Sequence, residues 1–132
     1  MKIITFRKEF KELILNGKKT ETRRINKYVK VGDILLAKVG RTGKAFAELK
    51  IIGFKRERLQ KVRLKSVYSE GYTNEKNTAI KSAANWFIEI WNSINNKKGI
   101  RFEDNPIVSV IKFKLIKIRW EDAYSHSFAD MR

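Results

Sequence analysis

Residues 17–24 read Gly-Lys-Lys-Thr-Glu-Thr-Arg-Arg. Eight positions carry four cations, one carboxylate and two hydroxyls. The stretch follows a helix signal, and the partial negative charge at a helix C-terminus favours nearby lysine. It is not a P-loop, because the second glycine and the Gly-Lys-Ser/Thr ending are missing. Spacing alone leaves two readings open: a chemically active loop, or a solvated edge strand of alternating charge.

On the N-terminal side, Phe6, Phe10, Leu13 and Ile14 fall at helical spacing. Gly17 is the natural left-handed stop. Arg7, Lys8, Glu9, Lys11 and Glu12 form the solvated face, Thr5 is the expected N-cap, and residues 1–5 are a short strand. This opening has no long apolar signal region, so the protein is expected to be cytoplasmic.

On the C-terminal side, Val31-Gly32-Asp33 is a turn feeding a strand at 34–39. Gly40-Arg41-Thr42-Gly43 closes a hairpin, and residues 45–54 return, with Ala47, Leu49 and Ile51 alternating against Glu48 and Lys50. Residues 55–65 hold six basic side chains in eleven, with Leu59, Val62 and Leu64 too sparse for a core element. They are placed on the surface. Tyr68–Tyr72 reads as a turn. A helix is predicted over 77–94 from Ala79, Ala83, Trp86, Phe87, Ile90 and Ile94. Residues 107–118 form the last strand, with a phase switch that predicts a bulge near 115.

The chain has 132 residues, 42% of them apolar, which is enough for one domain. With no cysteine, disulfides, thiol catalysis and Cys-type zinc sites are excluded. A single histidine, His126, excludes His clusters, and because it sits in a tail of no pattern it is not read into a Ser-His-Asp triad and is assigned no role. Glu103-Asp104 lacks partner ligands, so neither metal nor cofactor is expected. No apolar run is long enough to span a membrane. Charge is uneven: residues 1–66 hold 20 basic and 6 acidic side chains, residues 67–132 hold 10 and 8. A basic half of this kind suits a polyanion, through counterion release. The plainer alternative is a lysine-rich composition with no partner behind it.

The ordered set resembles the ASCH domain of the PUA-like superfamily. The matching residues are Ile14–Gly17, Lys19, Thr20, Arg24 and Gly32-Asp33, then Trp91-Asn92-Ser93-Ile94-Asn95 and Asn105-Pro106 before the strand that includes Ile111-Lys112-Phe113. The resemblance is to phage-type ASCH proteins and to a bacterial branch that hydrolyses N4-acetylcytidine. It implies an α+β fold, a small PUA-like β-barrel of mostly antiparallel strands with two main helices packed on it. The domain is expected over 1–116, with a tail at 117–132. The implied partner is RNA or a modified nucleoside; oligomeric state is left open.

The implied catalytic triad is Lys19, Thr22 and Glu70. A threonine hydroxyl needs a base to take its proton. A lysine serves if burial or neighbouring cations depress its pKa, and Lys18, Arg23 and Arg24 surround Lys19 in sequence. In a regular strand, residues 19 and 22 point to opposite faces, so convergence requires a turn near Thr20. Lys18, Arg23 and Arg24, with Lys55, Arg56, Arg58, Lys61 and Arg63, are the expected ligand and phosphate contacts. One of Tyr68 and Tyr72 is the candidate base-stacking ring, whereas Trp86 and Trp91 are read as core. Two further functions stay open: binding without catalysis, and ribonuclease action.

Overall fold

The computed structural model describes residues 2–73 and 82–119. Five strands and three helices follow the order β1 (Lys2–Phe6), α1 (Lys8–Leu15), β2 (Glu21–Arg24), β3 (Ile34–Val39), β4 (Ala45–Arg58), α2 (Leu64–Ser69), α3 (Ser82–Ile94) and β5 (Ile107–Ile118). Residues 77–81 of the predicted second helix, and the tail beyond 119 with His126, lie outside the described residues.

The strands form one sheet in the order β1-β3-β4-β5-β2, antiparallel except for the parallel β1–β3 pair. That parallel pair needs a crossover, which α1 and β2 together supply between β1 and β3. The predicted bulge is present: Glu48 pairs with Lys117 and Leu49 with Leu115, so Ile116 is the extra residue on β5. A second bulge, at Ile52, lies between the Ile51–Phe113 and Gly53–Lys112 pairs of β4 and β5. Both bend the sheet.

The curvature brings the two edge strands near one another without joining them. Arg24 Nη2 donates to Thr5 O at 2.7 Å, and Lys27 Nζ to Ile3 O at 2.7 Å. Side chains thus occupy the gap that a ladder would fill. The sheet is open, which corrects the expectation of a barrel. β2 is only four residues long, and the Arg24 guanidinium lies 5.0 Å from the Phe6 ring centroid.

Apolar residues pack on both faces of this sheet. One cluster fills the concave face with Phe6, Leu35, Leu49, Ile51, Ile111 and Phe113, roofed by Phe10 and Ile14 of α1. The other lies beneath α2 and α3, with Leu59, Val67, Tyr72, Phe87 and Trp91 against Val108 and Val110. Residues 108–111 are therefore all buried, Ser109 among them.

Three local expectations are corrected. Residues 55–58 extend β4 instead of forming a loop, and Leu59 is fully buried beneath α2 and α3. Residues 64–69 are helical, so the turn after them is confined to Glu70-Gly71. Thr5 belongs to β1, and α1 begins after Arg7 with no side-chain cap. Asp33 supports its turn as expected, its Oδ2 accepting from Lys30 N at 2.9 Å.

Candidate functional site

The chain breaks its strand geometry at Thr20. The Thr20 N–H donates to Ser69 O at 2.8 Å, while its carbonyl accepts from Phe113 N at 2.9 Å. In a regular antiparallel strand both groups of one residue face the same neighbour. At Thr20 they face two, so the phase of Lys19 is uncoupled from that of β2. Lys19 is held on its other side by α1, since Lys18 N and Lys19 N both donate to Leu13 O.

Beyond that break, β2 alternates strictly. Thr22 lies opposite Ile111 and Arg24 opposite Ser109, on the concave face. Glu21 and Arg23 lie opposite Lys112 and Val110, on the face that carries α2 and α3. Because β2 is an edge strand, a cavity of about 840 Å³ wraps past it. Lys19, Thr22, Arg23, Arg24 and Glu70 all line it, with Phe6, Phe10 and Trp91. Its lining counts eight basic side chains against two carboxylates, Glu9 and Glu70.

Glu70 holds the site together. It caps the C-terminus of α2, and Gly71 follows with φ +121°. A Cβ on Gly71 would come within 3.1 Å of Leu13 Cδ1 and 3.6 Å of Lys19 Cβ, so glycine is required for the close approach. The Glu70 carboxylate is divided between two cations: Oε1 lies 3.2 Å from Lys19 Nζ and Oε2 3.0 Å from Arg23 Nη1. Arg23 also meets Glu21 Oε2 at 2.6 Å and Glu57 Oε1 at 3.6 Å.

Lys19 is 2% exposed. Its Nζ donates to Glu21 O at 2.9 Å, Glu70 O at 2.8 Å and Glu70 Oε1 at 3.2 Å. The Phe10 ring centroid is 4.5 Å away. Burial pushes the Lys19 pKa below its ordinary value, with the Glu70 carboxylate opposing and the Arg24 charge assisting. For Arg23 the balance reverses. Burial disfavours its charge, but Glu70 and Glu21 together hold its pKa above the ordinary range. Arg24 is lowered by burial, with Glu70 opposing. The Thr22 hydroxyl oxygen accepts from Arg24 Nε at 3.2 Å. Among the described residues, no hydrogen bond joins it to Lys19.

The remaining expected contacts divide. Lys55 pairs with Glu57 at 3.3 Å on the α2/α3 side. Arg56 and Arg58 lie on the concave face opposite Ser109 and Ile107. Lys61 and Arg63 are exposed beyond β4, and none of these five lines the cavity. Lys18 is exposed outside it. Tyr72 is buried against Trp86, ring centroids 5.6 Å apart, and Tyr68 packs edge-on to Tyr72. Neither tyrosine lines the cavity. Trp91 is buried, as expected for core, and it also lines the cavity.

Sequence reasoning did not single out Glu21, Glu57, Phe10 or Trp91 for the site. Glu21 and Glu57 were visible only as members of alternating charge runs, which read as solvated. Phe10 was visible as a core residue of α1. Nothing local announces that its ring faces an amine.

The family model for the ASCH domain matches residues 2–117. No curated protein matches this chain. Among solved structures, a protein from Enterococcus faecalis is similar at 14% identity and a TM-score of 0.62, covering 83% of this chain and 68% of that one. The ASCH domain from Lactobacillus crispatus is 19% identical with a TM-score of 0.58, covering 81% and 70%. The ASCH protein from Zymomonas mobilis is 12% identical with a TM-score of 0.56, covering 91% and 73%. At these identities the structural likeness is one of fold, and the sequence match gives the membership: the chain belongs to the ASCH domain family.

Proposed function

We propose that the cavity at the edge of β2 receives the base of a modified nucleoside or RNA nucleotide and hydrolyses an amide of the N4-acylcytidine type. The observation that carries this reading is that Lys19 and Thr22, on either side of the break at Thr20, line one cavity together with Glu70, which is distant in sequence. The Thr22 oxygen attacks the acyl carbon, and Lys19 takes the hydroxyl proton, directly or through one water. The acyl–nitrogen bond breaks with that proton delivered to the leaving amine. Water then attacks the threonyl ester, releasing the acid and restoring the hydroxyl. Desolvation of the amine favours the neutral form of Lys19 that a base needs. Arg24, bonded to the Thr22 oxygen, favours its anionic character. Glu70 positions Lys19 and Arg23.

A second reading, recognition of the base without turnover, draws on one observation. The three protons of a charged Lys19 already have three acceptors, an arrangement that holds the ammonium. Incubation with N4-acetylcytidine separates the two. A hydrolase releases acetate and cytidine, and Lys19→Ala abolishes turnover while the near-ultraviolet circular dichroism persists. Saturable binding with no product supports the second reading, and no binding at all overturns both.

A further inference from the structure

The arginines of the concave face differ from Arg23 in having no carboxylate within ion-pair distance. Among the described residues, Arg24, Arg56 and Arg58 form no ion pair within 4.0 Å. Arg24 and Arg56 share one cross-strand row, each opposite Ser109 from its own side. With strands about 4.8 Å apart, their backbones stand about 10 Å from one another.

Arg56 is also held in place. Its Nη1 donates to Ile25 O at 2.8 Å and to Ser109 Oγ at 2.9 Å. Its guanidinium carbon lies 5.0 Å from the Tyr28 ring centroid. One nitrogen takes both anchoring bonds, and no hydrogen bond among the described residues uses Nε or Nη2. A planar fork is thereby oriented while its bidentate edge is left for an oxyanion, the geometry that suits phosphate. Tyr28 is 59% exposed and packs on Phe54 at 6.2 Å, so it offers a ring to a stacked partner beside that edge. Ile25, which anchors Arg56, lines the cavity, and so does Arg24. The path from Thr22 across Arg24 and Ser109 to Arg56 carries positive charge with no carboxylate on its face of the sheet. Lys61 and Arg63 are exposed, and no hydrogen bond or ion pair fixes them among the described residues.

We propose that Arg56, backed by Tyr28, is a phosphate-binding site for the nucleotide whose base occupies the cavity. The preferred substrate class is then a phosphate ester, either a nucleoside monophosphate or one position of an RNA strand, bound more tightly than the free nucleoside. This rests on the cavity reading above, since it takes the base to be in the cavity.

The test compares binding of N4-acetylcytidine, its 5′- and 3′-monophosphates, and hexacytidylate, in the unaltered protein and in Arg56→Gln, Arg56→Lys and Lys114→Gln. Circular dichroism of each variant verifies the fold. At least one monophosphate is expected to bind tenfold or more tightly than the nucleoside. Arg56→Gln removes that advantage and leaves nucleoside affinity unchanged, Arg56→Lys restores it in part, and Lys114→Gln, at an exposed position on the other face of β5, does nothing. A monophosphate advantage without matching strength on hexacytidylate identifies the nucleotide. Hexacytidylate binding more tightly still than the favoured monophosphate identifies the strand, where Arg56→Gln lowers the slope of log affinity against log salt by about one. Equal binding of nucleoside and both monophosphates, or an advantage indifferent to Arg56→Gln, overturns the proposal. If the nucleoside does not bind while hexacytidylate binds through Arg56, the phosphate site stands and the cavity reading fails.

Discussion

The two faces of β2 handle charge in opposite ways. On the face toward α2 and α3, Arg23 is enclosed by Glu21, Glu57 and Glu70, and Glu70 also meets Lys19. On the concave face, Arg24 is held by a backbone carbonyl, a hydroxyl and an aromatic ring, with no carboxylate in contact. One residue along the strand therefore separates a cation in direct ion pairs from one with no carboxylate in contact. Buried charges that have partners specify the structure, and removing one partner strands the others. Cations held without a counter-charge leave their field for a ligand. The difference teaches where to look for structure and where to look for binding.

The sharpest way to break this comparison is Arg23→Met. It leaves three carboxylates beneath α2 without their shared partner, and a loss of about 3–5 kcal/mol is expected in urea unfolding. A loss below about 1 kcal/mol would mean that the cluster is hydrated and contributes little. Next in size is Gly71→Ala. The left-handed backbone and the close approach to Leu13 make a loss of about 1–3 kcal/mol the expected outcome, by the same measurement. Displacement of Glu70 should reduce any turnover as well.

Acidity gives a third test. The folded-state pKa of Lys19 lies below its unfolded value, so between the two the unfolded chain binds more protons. The Lys19 contribution to stability therefore rises with pH across that window. The difference between the unaltered protein and Lys19→Met, followed by urea unfolding at stepped alkaline pH, should grow in favour of the unaltered protein. A flat difference would show that Lys19 keeps its ordinary pKa when folded. The smallest effect belongs to the other face. Arg56→Gln should cost no more than about 1 kcal/mol, because it removes two hydrogen bonds and a ring contact at an exposed position but no ion pair. A loss comparable with that of Arg23→Met would make Arg56 structural and erase the contrast.

The sequence was readable where side-chain period matched burial. β5 and its bulge showed because Ile116 and Ile118 switch phase against Ile111, Phe113 and Leu115, and the pairing then skips Ile116. The first motif was readable as well, including the requirement for a break near Thr20. Residues 55–58 were misread because charge alternation looks the same on a solvated strand and on one whose inward charges are paired. Glu57 is an inward member of that run, and its partner Arg23 is 34 positions away. The open sheet was not readable either, since it depends on Arg24 and Lys27 reaching the carbonyls of β1. The pairing of Tyr28 with Arg56 likewise arises only when the loop after β2 folds back over β4.

The most direct measurement is a backbone amide NMR titration with N4-acetylcytidine. Shift changes centred on residues 19–24 and on Glu70-Gly71, saturating together, are expected if the base enters the cavity. Changes confined to residues 55–65, or none at saturating ligand, would contradict it.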